Sequence, residues 1–323
     1  MSDASLLFEE GRLERVGACP ACDGEDLSDA GSVRDNLFGI PVPWRLSRCA
    51  GCGLVFVNPR PTQDDLGRAY EELFPSEGTE PTAAIPGSSP RRGRAPRMVM
   101  SGWHYATGVS NFEARFIPEG HGRRVLDIGC GTGGLGATLV RRGYRVSGIE
   151  INRTQWDAAR SAGVTIVGRT LEELDSEEHR FDAVVLSHVI EHLPRPAEAM
   201  TRVRRLLEPG GRLYVSCPNH GGWQRKAYGE WWHNWHLPFH LSHFEPRSLR
   251  VLLERSGFTV RALRHESPAS AAIVSWRTKR EGTRASWDSA ARGSPAWLRA
   301  AVGVSLRPLG VVLGGDHLVA IAE

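Results

Sequence analysis

Apolar positions in the last two thirds of the chain gather into short runs, separated by longer stretches in which apolar residues return with helical spacing. The runs at 125–128 (VLDI), 144–149 (YRVSGI), 164–167 (VTIV), 180–188 (RFDAVVLSH), 207–216 (LEPGGRLYVS), 259–263 (TVRAL) and 317–322 (HLVAIA) have the composition of buried strands. Between them, 135–142 (LGATLVRR), 152–162 and the segment from Glu245 or Pro246 to Gly257 read as helices. Residues 98–116 suit one more helix ahead of the first run. Strands alternating with helices argue for an α/β fold with a parallel sheet, whose ligands collect at the carboxyl ends of the strands.

The first run opens into a glycine turn of Gly129, Gly131, Gly133 and Gly134, with Cys130 inside it. Glycine lets the backbone take positive φ and lie against a ligand, and the helix that follows offers unpaired N–H groups. Gly129, Gly131 and Gly134 satisfy the dinucleotide pattern G-x-G-x-x-G, so NAD is one candidate ligand. Asp127, just before the turn, suits a cationic amine better than a pyrophosphate. Glu150 ends the next run, about 20 residues past the glycines, where a carboxylate accepts hydrogen bonds from a ribose diol. An amine plus a diol without a phosphate clamp fits S-adenosylmethionine better than NAD.

The N-terminal part has a different texture. Cys19 and Cys22 form one C-x-x-C knuckle and Cys49 and Cys52 a second, the set that closes a tetrahedral structural zinc site. Disulfides are the alternative, and a cytoplasmic chain disfavours them. Cys130 and Cys217 stand alone in apolar surroundings and read as buried packing residues. Between the knuckles, 36–46 (NLFGIPVPWRL) supplies a small core; 53–61 (GLVFVNPRP) reads as a short strand, and Thr62 caps a helix to about residue 73. Residues 77–97, rich in Pro, Gly, Ser and Arg, read as a mobile linker or a lid over the acceptor site.

Composition narrows the classes. The 323 residues are 41% hydrophobic and 24% charged, ordinary for a soluble protein with one large domain and one small one. No run nears the roughly 20 apolar residues that cross a bilayer, and the N-terminus is no signal peptide, so a cytoplasmic protein is expected. A net charge of +3 is too small to argue for a nucleic-acid partner by itself.

Taken together, VLDIGCGTGGLG at 125–136, Glu150, the run at 180–188 and the Pro-Gly-Gly turn within 207–216 resemble the class I (Rossmann-like) S-adenosylmethionine-dependent methyltransferases in order and spacing. The resemblance implies a Rossmann-like seven-stranded methyltransferase sheet with helices on both faces, closed by an antiparallel strand at 317–322. The position of that strand at the last residues reads as the end of a complete chain. The resemblance also implies that S-adenosylmethionine is held by Asp127, Gly129, Cys130, Gly131, Gly133, Glu150, Ile151, Thr170, Leu171 and Ser187. Arg169-Thr170 stand where the family often has an acidic residue beside adenine. The pattern C-x-x-C-G-L-V-F-V-N-P-R-P-T, followed by a helix with Tyr70, resembles the zinc-binding leader of bacterial small-molecule and glycan methyltransferases. The expected organisation is a zinc-ribbon-like module (1–76), a linker or lid (77–97) and a methyltransferase domain (98–323). Within that domain, 218–245 would be an acceptor loop and 266–312 an insertion.

Two histidine-rich segments carry the candidate chemistry. His188-x-x-Glu191-His192 matches the inverted zinc-protease motif, but Pro194 and Pro196 deny it the long helix that motif needs. The ubiquinone-biosynthesis O-methyltransferases carry Glu-x-x-Glu-His at this point, with a divalent ion as one implied use, and here His188 replaces the first Glu. In a third reading, His192 or His188 is a general base oriented by Glu191, and in a fourth Glu191 and His192 only line the cofactor pocket. The segment 218–243 holds Trp223, Trp231, Trp232, Trp235 and Phe239 among five histidines, and reads as an acceptor pocket or as a packed aromatic cluster. His240 and His243, in the resembling H-x-x-H-F segment, are candidates for acceptor binding or proton removal. The expected function is O-methylation of a small molecule, sugar or glycan, with oligomeric state left open. Its rivals are an RNA methyltransferase gripping nucleic acid through the zinc module and a non-enzymatic cofactor-binding protein.

Overall fold

The computed structural model describes residues 13–35, 40, 43–73, 112–281 and 313–323. The linker or lid expected at 77–97 lies outside them, as do 98–111 of the expected first helix and 282–312 of the expected insertion. Of that helix, Phe112–Phe116 is a 3-10 turn, tied down where the Arg142 guanidinium donates to the carbonyls of Ala114 and Ile117.

In the N-terminal part, β1 (Leu27–Arg34) and β2 (Pro43–Cys49) form an antiparallel hairpin, and β3 (Val55–Val57) adds to β2. Helix α1 (Gln63–Leu73) follows; the Thr62 hydroxyl accepts from the Asp65 N–H at 3.2 Å and donates to the Asp65 carboxylate at 2.8 Å.

The larger part runs β4 (Arg124–Ile128), α2 (Gly134–Arg141), β5 (Arg145–Ile149), α3 (Trp156–Ser161), β6 (Thr165–Gly168), β7 (Phe181–Ser187), α4 (Pro196–Leu206) and β8 (Leu207–Pro218). Then come α5 (Trp223–Tyr228), β9 (Ser242–His243), α6 (Pro246–Arg255), β10 (Val260–Glu266), α7 (Ala269–Glu281) and β11 (His317–Ala322). Seven strands form one sheet in the order β10-β11-β8-β7-β4-β5-β6. Strands β4 to β8 are parallel, and β11 lies antiparallel between β8 and β10. The chain runs outward from β4 in both directions, so the switch point of the topology, where ligands of such sheets collect, is the carboxyl end of β4.

Strand periodicity sorts the core into two faces. Leu126, Ile128, Val184, Leu186, Leu213 and Val215 face one way and pack with Met200 and Val203 of α4 and with Leu249, Leu252 and Leu253 of α6. Val125, Val185 and Tyr214 face the other way, against Leu135 and Leu139 of α2 and Ala159 of α3. The cysteine knuckles share the first of these cores, because Cys19, Cys49, Cys52, Leu54 and Phe56 pack with Phe244 and α6.

The fourth strand of the N-terminal sheet was not expected. β9, Ser242–His243, comes from the distal part of the chain and pairs antiparallel with β3, Val55 opposite His243 and Phe56 opposite Ser242. A further core lies beside it, in which Trp44, Leu46, Val55, Val57 and Leu66 pack with Trp232, Trp235, Leu237, Phe239 and Leu241. The N-terminal sheet and the aromatic segment thus bury each other. Truncating Phe239, which is 1% exposed, to Ala should cost about 3–5 kcal/mol in a denaturant titration. Amide exchange should then quicken in β2 as well as around residue 239; a change confined to the aromatic segment would contradict the shared core.

Candidate cofactor and acceptor site

The carboxyl end of β4 carries Asp127 and the glycine turn. The N–H groups of Gly129 and Cys130 donate to the Ile149 carbonyl at 2.9 and 3.1 Å, fastening the turn to the end of β5. Gly129 has φ +70°, and a Cβ there would lie 2.6 Å from Val189 Cγ2, so only glycine fits between β4 and the loop after β7. Glu150 is 7% exposed; its carboxylate accepts from the Gly131 N–H and the Asn152 N–H, each at 2.8 Å, while its main-chain carbonyl takes the Trp156 indole N–H at 2.9 Å.

Asp127 is buried in the strand, and Cys130 is buried nearby. Burial first, then the charges of Asp127 and Glu150, push the Cys130 thiol up to about 12, so the turn sits in a negative field. Such a field suits a cation and repels a pyrophosphate. Beside Glu150, Ile151 is 59% exposed, leaving a large apolar side chain at the rim. Thr170 is extended and Leu171 begins a 3-10 turn at the end of β6, while Ser187 closes β7; both strand ends face the same edge of the sheet as the turn. The structure brings Asp127, the glycines, Glu150 and Ile151 to one place, with Thr170, Leu171 and Ser187 at neighbouring strand ends.

The loop after β7 builds the other half. His188 takes a left-handed φ of +57°, with its N–H on the Ser216 carbonyl at 2.9 Å. Side chains rarely hold that conformation without being over-determined by their surroundings. Ile190–His192 is a single 3-10 turn before Pro194, so the helix of an inverted zinc-protease motif is not formed. Glu191 is 1% exposed, and neither of its carboxylate oxygens is hydrogen-bonded among the described residues. Its Oε1 lies 3.4 Å from His188 Nδ1 and 4.0 Å from His240 Nε2. His192 Nδ1 meets the Phe239 carbonyl at 3.0 Å and His240 Nδ1 meets the Asn234 carbonyl at 2.8 Å. Carbonyls only accept, so both rings carry the proton on Nδ1 and leave the Nε2 lone pair inward. The two rings lie 4.6 Å apart in an edge-to-face contact. His188, with its side chain 38% exposed, is the reachable member of the group.

The segment 218–243 packs inward and also borders a cleft. Trp232, Trp235 and Phe239 are buried packing residues, while Trp231, His233, His236 and Thr278 border a small cleft that Arg34 and Asp35 close from the N-terminal part. His243 is 3% exposed, 4.8 Å from the Trp235 ring, and so is not on the surface of that cleft. His220 and Arg48 both hold Glu245, at 3.2 and 3.3 Å, which brings its carboxyl down to about 2.

The four knuckle cysteines are free thiols, with Cys19 to Cys52 at 3.5 Å and Cys22 to Cys49 at 3.6 Å. Sulfurs bound at about 2.3 Å to one tetrahedral ion stand about 3.8 Å apart, close to this arrangement. Sequence reasoning missed Arg60, whose guanidinium donates to the Pro194 carbonyl at 2.7 Å, and it missed Asp316. An acidic residue straight after a Gly-Gly pair and before an apolar strand was the available signal for the second.

The sheet order and the turn at the end of β4 define the class I Rossmann-like methyltransferase fold. The family described as a methyltransferase domain matches residues 103–263, and this part of the chain belongs to it. The ubiquinone biosynthesis O-methyltransferase of Alkalilimnicola ehrlichii is 43% identical over 105 residues, which are 30% of this chain and 42% of that protein. Its counterpart in Hahella chejuensis is 38% identical over 105 residues, covering 30% and 44%. The chain thus spans less than half the length of these curated relatives. A solved S-adenosylmethionine-dependent methyltransferase from Archaeoglobus fulgidus is 22% identical, covering 65% of this chain and 90% of that one with a TM-score of 0.45.

Burial makes the acceptor half acid-sensitive. It pushes His243 and His317 well below the ordinary 6.5, and with the charge of His188 it brings His233 to about 4. The unfolded chain therefore binds more protons below pH 6.5, and stability falls as the pH drops from there, through about 4 for His233. Glu245 acts in the same sense lower down: its contribution is full above 4.5 and is lost as the pH falls through about 2. Asp316 opposes them, since burial raises it from 3.8 to about 7 and its contribution declines across that interval, but it is one group against several. Urea midpoints should accordingly be lower at pH 5 than at pH 7, and a rise on acidification would contradict the buried neutral imidazoles.

Proposed function

We propose that the protein is an S-adenosylmethionine-dependent O-methyltransferase of a small hydroxylated acceptor, such as a sugar, glycan or natural-product-like molecule, with a structural zinc ion on its four knuckle cysteines. The observation that carries this reading is the negative, glycine-lined end of β4 beside the Glu191 and His188 side chains at 3.4 Å. Bound S-adenosylmethionine supplies an electrophilic methyl group on a sulfonium. Asp127 attracts its cationic amino-acid end, Glu150 accepts from its ribose diol through lone pairs not used by Gly131 and Asn152, and Ile151 covers an apolar ring face. The fit rests on the chemistry at the end of β4, the Asp127 and Glu150 carboxylates, whose charges add to burial in raising the Cys130 thiol.

His188 is the general base of this reading. It takes the acceptor proton as the hydroxyl becomes a nucleophile, and the Glu191 carboxylate orients the ring and stabilises its imidazolium form. His240, also near Glu191, is buried and less reachable. Small-molecule acceptors are favoured by the ubiquinone biosynthesis relatives; the burial of the cysteine knuckles in the core argues against their use as a grip on RNA. A cytoplasmic location is part of this reading and is supported by six unpaired cysteines.

One observation favours a second reading of the same side chains. Ligand atoms of Glu191, His192 and His240 lie within 4.8 Å of one another, with both imidazole Nε2 lone pairs and a carboxylate turned inward and both Nδ1–H groups anchored on carbonyls. Anchored imidazoles of this kind are suited to a divalent cation.

Calorimetric titration with S-adenosylmethionine on protein of assayed metal content tests the proposal. About one zinc per chain is expected for a closed Cys₄ site. Asp127→Ala and Glu150→Ala should each weaken binding by at least about tenfold, the worth of a charge-assisted contact. No binding by zinc-replete protein would overturn the central reading, and a second tightly held metal lost in Glu191→Gln would favour the cation. With an acceptor found among hydroxylated sugars and glycans, His188→Ala should slow transfer by roughly a hundred- to ten-thousand-fold while cofactor binding persists.

A further inference from the structure

We infer that Asp316 is a positioning residue that aims the histidines at Glu191 by holding the aromatic segment in register. This rests on the reading of Glu191 and its histidines as the acceptor side of a methyl-transfer site. Asp316 stands immediately before β11 and is fully buried. Its main chain is fixed first: its carbonyl accepts from the Asn219 N–H at 2.7 Å, and the Asn219 amide donates to the Gly315 carbonyl at 2.6 Å. Gly315 is required there, because a Cβ would lie 2.4 Å from the Glu266 carbonyl oxygen.

From that fixed point the side chain reaches two ways. Its Oδ1 accepts from the Trp232 indole N–H at 2.6 Å and its Oδ2 from the Asn234 amide at 2.7 Å. Both donors belong to the irregular segment between α5 and β9, which has only 3-10 turns to define its backbone. Asn234 passes the constraint on, since its main-chain carbonyl takes the His240 Nδ1–H at 2.8 Å, and the opposite ring nitrogen then faces Glu191 Oε1 at 4.0 Å. A second route runs through the next residue. His317 Nδ1 lies 3.6 Å from Asp316 Oδ2, and the His317 ring makes an edge contact with His188 at 4.9 Å. His188 in turn stands 3.4 Å from Glu191 Oε1.

Two arms from one buried carboxylate thus end on a single oxygen of Glu191. A carboxylate is suited to this junction because it offers two acceptors to two N–H donors. An asparagine in its place presents its amide N–H to one of those donors, so either the Trp232 anchor on Oδ1 or the Asn234 arm on Oδ2 must open. Burial of a carboxylate is costly, and the two N–H bonds offset part of that cost, the carboxyl staying raised by its burial.

The test uses the full-length zinc-loaded protein labelled with ¹⁵N in histidine and tryptophan. Two-bond ¹H–¹⁵N correlation spectra read the tautomer of each imidazole, and titration with S-adenosylhomocysteine reads the cofactor half separately. In Asp316→Asn, the expected result is unchanged S-adenosylhomocysteine binding, loss of the single Nδ1–H tautomer of His240 and a displaced His188 signal. A folded Asp316→Asn protein whose His240 and His188 signals match the wild type would overturn the inference. Asn234→Ala cuts one arm and leaves the carboxylate in place, so it decides the matter if Asp316→Asn does not fold. It should disturb His240 while the Trp232 indole N–H keeps its downfield position, and an undisturbed His240 would equally overturn the inference. Failure of the wild type to bind the cofactor product would count against methyl transfer and leave these spectra interpretable.

Discussion

A ladder of two residue pairs carries the histidine side of the molecule. Val55 faces His243 and Phe56 faces Ser242, and the Val57 N–H extends the ladder to the Leu241 carbonyl at 2.9 Å. Buried main-chain groups need partners, and residues 241–243 lie beyond the turns that pair the segment with itself. β3 supplies them. The same N-terminal part reaches the other histidine segment through Arg60, which binds the Pro194 carbonyl, and it reaches the start of α6 through Arg48 on Glu245. Both loops that converge on Glu191 are therefore braced from outside the methyltransferase sheet.

The two halves of the site solve opposite electrostatic problems. At the end of β4, the Gly131 N–H is spent on Glu150 and the Gly129 and Cys130 N–H groups on Ile149, and the charges of Asp127 and Glu150 leave a field that welcomes positive charge. On the acceptor side, burial keeps a group of imidazoles neutral, so their lone pairs are present at neutral pH where a solvent-exposed histidine would already be partly protonated. Glu191 is the carboxylate they surround. A proton released near it meets a neutral ring beside an anion, the arrangement in which an imidazolium is stabilised as it forms.

The sheet and the cofactor half were legible in the sequence because they depend on local rules. Strand runs, the glycine turn and Glu150 at the end of β5 are each fixed by residues within a few positions of one another, and the observed strands differ from the expected ones by only a residue or a few at each end. The strand β9 was not legible. Its two residues, Ser242–His243, carry no periodicity, and their partner lies far away in the chain. The same holds for Arg60 on a main-chain carbonyl, since any arginine near a proline-rich loop has that option. His188 and Glu191 were visible as types, but pairing them needed the 3.4 Å approach of His188 Nδ1 to the buried Glu191 carboxylate. The aromatic segment was read as either pocket or packing, and Trp232 and Trp235 both pack in the core shared with β2 and β3 and border the cleft.

That shared core explains why a small cysteine module is fused to this sheet at all. A hairpin, a short strand and one helix bury too little apolar surface to fold alone, and here the deficit is met by sharing both of their cores with the larger part. The sharing runs in both directions. The aromatic segment has no regular secondary structure between α5 and β9 beyond single 3-10 turns, and its tryptophans need a wall to pack against. The knuckle closes that wall at the point where β2 ends in Cys49, one loop away from β3 and hence from His243, and the proposed zinc ion would make it rigid. On this view the cysteines act at a distance on the acceptor side: they fix the strand that fixes the loop, while the cofactor side, built on β4 and β5, stands without them.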